Sequence, residues 1–207
     1  MTQFFRRFGA VLVVLFAISA FGASTGVAKQ FHSEGEPTSV KGSQVNTHVL
    51  KTTAGEITCA KATFEGTLAA KTASSITLNP TYSECHINFF GSKVSATINL
   101  NGCDYTIYPE TNLGGQFYLD GTLDINCPAG KKIVYSAAGC TVELGAQTGR
   151  SSILTSNKES KHIDITFSLS GISYSHSGFT CGTGSGTTGT YKGTTTFEGS
   201  KGKIWSE

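Results

Sequence analysis

The chain has 207 residues, a formal net charge of +2, 38% hydrophobic and 14% charged residues, with 25 Gly and six Cys. This composition excludes a coiled coil, which needs about half Ala, Glu, Lys, Leu and Arg. It also excludes a charge-rich disordered chain and lacks the basic excess of a nucleic-acid binder.

Arg6 and Arg7 precede the apolar run AVLVVLFAISAFGA at 10–23. That run has the length of a signal-peptide core and falls short of the ~20 residues of a spanning helix. Gly26-Val27-Ala28 supplies the small residues of a cleavage site, so residues 1–28 are expected as a signal peptide cut after Ala28. An uncleaved anchor is the alternative. Removing Arg6 and Arg7 leaves 14 Lys and Arg against 14 Asp and Glu, which disfavours polyanionic partners. No later run is long enough for a transmembrane anchor. Residues 29–44, KQFHSEGEPTSVKGSQ, are polar and are expected as a flexible leader. Residues 45–207 then form a single domain.

Strands are predicted at about 45–52, 56–65, 75–79, 82–89, 93–100, 103–108, 117–127, 131–136, 140–145, 163–174 and 188–198, from alternating apolar residues among Thr, Ser and Gly. Residues 117–127, FYLDGTLDINC, are apolar at odd positions except Gly121, so one face should be buried and one wet. In 163–174 the apolar phase flips at Gly171, as at a β-bulge or a change of sheet. Residues 182–190, GTGSGTTGT, read as a low-complexity loop. No stripe of helical period occurs after the leader. The expected fold is all-β, an antiparallel β-sandwich or barrel-like domain.

The six cysteines are Cys59, Cys85, Cys103, Cys127, Cys140 and Cys181. An even number in an exported chain points to disulfides, about three here, and no Cys-x-x-Cys pair suggests a metal. Facing residues of a hairpin share one midpoint. The midpoints of 59–85, 103–127 and 140–181 fall at or beside the turn-like segments Lys71–Ser74, Asn112–Gly115 and Ser156–Ser160. That favours these three pairs. A Cys127–Cys140 bridge across Pro128-Ala129-Gly130-Lys131 is the rival.

Catalytic patterns are weak. Gly22-Ala23-Ser24-Thr25-Gly26 lies in the signal, and Gly184-Ser185-Gly186-Thr187-Thr188-Gly189 lacks the helix a dinucleotide site requires. His32, His48, His86, His162 and His176 form no compact motif and read as surface residues. A triad drawn from His162, Asp164 and Ser173 or Ser175 is one that any Ser-rich β chain permits. The even face of 117–127 carries Tyr118, Asp120, Thr122, Asp124 and Asn126, which could hold a cation or sugar but equally make a solvated face. Asp120 and Asp124 on one strand stand ~13 Å apart, too far for the paired carboxylates of a glycosidase, at most about 9.5 Å. Tyr105, Tyr108, Tyr118, Tyr135, Tyr174, Tyr191 and Trp205 could stack on sugars, or sit in the core or at its rim.

The phrases Pro80-Thr81-Tyr82-Ser83-Glu84-Cys85, Asn101-Gly102-Cys103-Asp104-Tyr105, Gly171-Ile172-Ser173-Tyr174 and Gly189-Thr190-Tyr191-Lys192-Gly193, with Cys181 between the last two, span much of 45–200. They resemble a group of uncharacterised secreted, cysteine-containing, β-rich actinobacterial proteins of unknown function. The resemblance implies an exported, disulfide-bonded β domain and no activity. The reading from sequence is therefore a secreted, non-enzymatic binding or interaction protein of the extracellular space or envelope surface, without cofactor or metal. Its expected partner is an envelope polymer or extracellular glycan, and not nucleic acid. The alternatives are a secreted polysaccharide hydrolase and a purely structural envelope protein.

Overall fold

The fold, taken from a computed structural model, is described for residues 29–112, 118–156 and 161–206. The expected signal peptide, residues 1–28, and its Gly-x-Ser-x-Gly match lie outside the described residues. The strands in chain order are β1 (Phe31–Ser33), β2 (Thr38–Thr52), β3 (Gly55–Leu68), β4 (Thr72–Ala73), β5 (Ile76–Phe89), β6 (Ser92–Asn99), β7 (Asp104–Asn112), β8 (Tyr118–Asn126), β9 (Ile133–Ala137), β10 (Cys140–Leu144), β11 (Gln147–Ser156), β12 (His162–Gly178), β13 (Gly184–Gly199) and β14 (Ile204–Ser206). Among the described residues no helix is long and apolar enough to cross a membrane.

The pairings reduce to an eight-stranded up-and-down barrel. β2, β3 and β5 pair in succession, β12 pairs with β13, and β13 returns to β2. The remaining three staves are each two strands laid end to end. β6 pairs with one end of β5 and β7 with the other. β9 lies between β6 and β10, and β8 between β7 and β11. β10 and β11 share one edge of β12. The staves break at a common waist, at 100–103, 127–132 and 145–146. Among the described residues, closure leaves the main wall without a free edge strand, and the unpaired stretches, such as 79–84 on one side of β5, lie at the waist.

The wall alternates as the composition demands. Ile163, Ile165, Phe167 and Leu169 of β12 face the lumen and are buried, while Asp164, Thr166 and Ser168 are more exposed. Thr166 and Thr194 hydroxyls meet across neighbouring strands at 3.2 Å, as do Thr77 and Thr106 at 3.0 Å. Apolar inside and polar outside is the reverse of a membrane-spanning barrel. Gly171, at φ 68°, sits where the β12–β13 register shifts between Leu169 and Ile172. The phase flip is thus a bulge, and β12 stays paired with β13 on both sides of it.

The waist is stitched by side chains. Gln147 accepts from the Ser173 N–H at 2.7 Å and donates to the Ser173 carbonyl at 2.8 Å. Its amide therefore pairs both backbone groups of Ser173 where the stave is broken. Pro80 lies where β5 is paired on its β3 edge but on neither its β6 nor its β7 edge. A proline is tolerated in such a half-paired stretch, so the predicted 75–79 and 82–89 are one strand.

One barrel end is sealed. β1 pairs with β14 and β4 in a separate three-stranded sheet. Phe31 and Ile204 from this sheet join the barrel core. Residues 29–44 are therefore not the flexible leader expected of them: 31–33 form β1 and 38–44 begin β2. The alternating burial of Thr38, Val40 and Gly42 is the signal that their polar composition masks.

The disulfides are Cys59–Cys85, Cys103–Cys127 and Cys140–Cys181. The first two join strands in the expected hairpin registers, with Cys59 opposite Cys85 and Asp104 opposite Asn126. The third follows because β10 and β11 together make one arm of a hairpin with β12. Cys140 faces Gly178, and Cys181 lies just beyond it.

Candidate functional site

The half of the lumen nearer the sealed end is filled by Phe64, Phe167, Phe197, Leu68, Leu78, Ile107 and Leu123, each at most 2% exposed. Phe64 and Phe167 stack with centroids 5.6 Å apart. Above them, five strands deliver a polar chain into this apolar interior. His48 of β2, Tyr82 of β5, Tyr105 of β7, Tyr135 of β9 and Tyr191 of β13 converge there. His48 Nδ1 is 2.5 Å from the Tyr191 hydroxyl, and Nε2 is 3.1 Å from Thr195 Oγ1. The hydroxyls of Tyr82 and Tyr191 are 2.7 Å apart, and those of Tyr82 and Tyr105 3.3 Å apart. Tyr135 bonds Tyr105 in turn.

Burial pushes the four phenols well above their ordinary pKa and lowers His48 to about 4. The imidazole is therefore neutral at pH 7. With its proton assigned to Nδ1, the ring donates to Tyr191 and Nε2 accepts from Thr195 Oγ1. Each phenol has one proton to donate, and Tyr82 donates to Tyr105, so the chain runs from His48 through Tyr191 and Tyr82 to Tyr105, with Tyr135 at its end. Gly193 makes the ring's place: a Cβ there would lie 2.5 Å from His48 Nδ1.

Toward the open end the lumen becomes an apolar cleft of about 80 Å³. Leu50, Ile57, Ile87, Phe89, Tyr135, Ala137 and Val142 line it, and Glu56 is the one acid in its wall. Tyr135 connects the cleft to the polar chain. On β12, Tyr174 and His176 stack with centroids 6.2 Å apart. A Cβ at Gly186 would meet Tyr174 at 2.6 Å, and one at Gly184 would meet His176 at 2.8 Å. The expected loop at 182–190 is thus largely strand, with glycine at the positions these rings cover.

The residues expected from sequence to carry ligand lie elsewhere. Tyr118, Asp120, Thr122, Asp124 and Asn126 belong to β8. Thr122 donates to Glu110, Asn126 donates to Asp104 and Thr106, and Asp124 accepts the Gly149 amide. Buried Leu123 and Ile125 alternate with these residues and face the lumen, so Thr122, Asp124 and Asn126 bind to neighbouring strands on the outer wall. His162 and Asp164 stand near the sealed end and Ser173 and Ser175 beyond the waist, about 30 Å along β12. The triad is not assembled. Among the described residues no group of three or more His, Cys, Asp or Glu could hold a metal ion. His48 overturns the surface reading of the histidines at 1% exposure. Its one sequence signal was its place in phase with Leu50, the next inward residue of β2.

No protein-family model, curated protein or solved structure matches this chain.

Proposed function

We propose that this is an exported binding protein, not an enzyme, which takes an apolar group of a ligand into the open mouth of its barrel. The observation that carries the reading is the asymmetry of the two ends. One is closed by β1, β4 and β14, and the other opens into a cleft lined mainly by apolar side chains, with Thr52, Glu56 and Asn88 as its polar members. Eight strands leave room for packed side chains or one small ligand. An 80 Å³ cleft is smaller than the ~150 Å³ that holds benzene, so it suits the branched or short alkyl end of a larger molecule. Three disulfides fit an oxidising compartment.

The test is calorimetric titration of the oxidised protein with short alkyl and aryl compounds and with a glycan panel. Ala137→Phe fills the cleft from β9. Saturable alkyl or aryl binding, weakened at least tenfold in Ala137→Phe at unchanged Tm, is the expected result. Glycan binding indifferent to Ala137→Phe would move the interaction to the outer wall and overturn the reading. N-terminal sequencing of the protein recovered from the medium should begin at Lys29.

A further inference from the structure

The open end carries aromatic rings that do not line the cleft. Phe90 is 94% exposed at the β5–β6 turn, and Phe179 is 100% exposed in the β12–β13 connection. Neither packs against the core, and neither borders the cleft. Segments 52–55, 88–92, 136–140 and 177–184, which make this end, contain no charged residue. The nearest charges at the first two turns, Lys51, Glu56 and Lys93, are set back on the strands.

The turn chemistry indicates that these residues are present for something other than folding. Phe89 pairs with Ser92, so Phe90-Gly91 is a two-residue turn, with φ of 47° and 80°. Ala137 pairs with Cys140 around Ala138-Gly139, with φ of 49° and 76°. The same pair of conformations occurs at the waist in Asn101-Gly102, with φ of 51° and 82°. Asparagine tolerates that left-handed position, whereas a bulky residue is strained there. At the waist the sequence uses asparagine, and at the open end it uses phenylalanine and alanine. Phe179 is held just as firmly. Its N–H donates to the Gly139 carbonyl at 3.0 Å, Thr180 Oγ1 donates to the Ala138 carbonyl at 2.9 Å, and Cys181 is tied to Cys140.

We propose that this end docks on a lipid surface, with the Phe90 and Phe179 rings entering the boundary between headgroups and acyl chains. Rings on separate turn tips, with neutral backbone between them and lysines set back, match insertion into a bilayer interface. A protein partner would instead be expected to meet a joined patch with a polar rim. The uncharged turns make docking independent of anionic lipid and weakly dependent on salt. This inference goes beyond the cleft reading and does not need the cleft to hold a ligand.

The test is flotation of the oxidised protein with phosphatidylcholine vesicles, for wild type, Phe90→Asn, Phe179→Ser, the double variant and Val45→Ser, an exposed apolar residue of the side wall. The double variant should lose at least tenfold in partition and Val45→Ser should lose none. Phe90→Asn should keep or raise the Tm, because asparagine suits the turn. Brominated acyl chains should quench an indole introduced by Phe179→Trp and leave Trp205, at the sealed end, unquenched. Equal partition of wild type and double variant, quenching of Trp205 alone, or a Tm lowered by Phe90→Asn would overturn the proposal.

Discussion

His48 is a titratable group held neutral inside a barrel of phenylalanines. Its folded pKa of about 4 lies below the ordinary 6.5, so the unfolded chain binds the proton more readily than the native one. The resulting stability is complete above pH 6.5 and is lost as pH falls from 6.5 through 4, by about 3 kcal/mol in all. Urea unfolding at pH 7.5, 5.5 and 4.5 should show that decline, and His48→Gln should remove most of it. A decline of equal size in the variant would assign it to other groups. Tyr191 sits between His48 and Tyr82. Tyr191→Phe removes the partner of Nδ1 and strands a buried polar group, which costs about 1–3 kcal/mol. Tyr82→Phe also breaks the chain but leaves the Tyr191–His48 bond in place, so it should cost less. Equilibrium unfolding of the two variants at pH 7.5 ranks them.

The elements differ in how easily solvent reaches their staples. Cys59 and Cys85 face each other across β3 and β5 and are buried, whereas Cys140 and Cys181 are half-buried beside the open end. Under mild dithiothreitol Cys140–Cys181 should open first and Cys59–Cys85 last, read by alkylation and peptide mass. The opposite order would mean that the barrel wall opens before the end loops. Such long-range pairs were legible because an up-and-down barrel is built from hairpins, and hairpin partners share a midpoint. Alternation made most of the strands visible for the same reason. β1, β4 and β14 were not visible, because two or three residues cannot show a period. β11 was missed because Gly149 and a register shift between Gln147 and Arg150 interrupt its pattern. The polar chain escaped notice for a different reason. Each of its five members looks like an ordinary strand residue, and only closure of the barrel brings residues 48, 82, 105, 135 and 191 together.

At the scale of the whole molecule, neighbouring staves are joined by chain-consecutive hairpins except at one seam. There β13 must find β2, pairing Gly199 with Val40 and Thr190 with Lys51. The seal across the end beside this seam joins segments far apart in the chain, since β1 pairs with β14. It is a small sheet of short strands, and it carries Trp205, the single tryptophan, stacked on His32 with centroids 5.2 Å apart. Phe31→Ala removes the largest side chain this sheet places in the core, for which about 3–5 kcal/mol is the usual cost. Three short strands held by few pairings are a low-stability unit that can open below the global transition. In Phe31→Ala the Trp205 emission should therefore shift to the red at lower urea than the far-UV circular dichroism signal of the barrel. In the wild type the two transitions should lie closer together. Coincident transitions in the variant would show that the seal and the wall unfold as one cooperative body, with β1 and β14 part of the barrel's own stability.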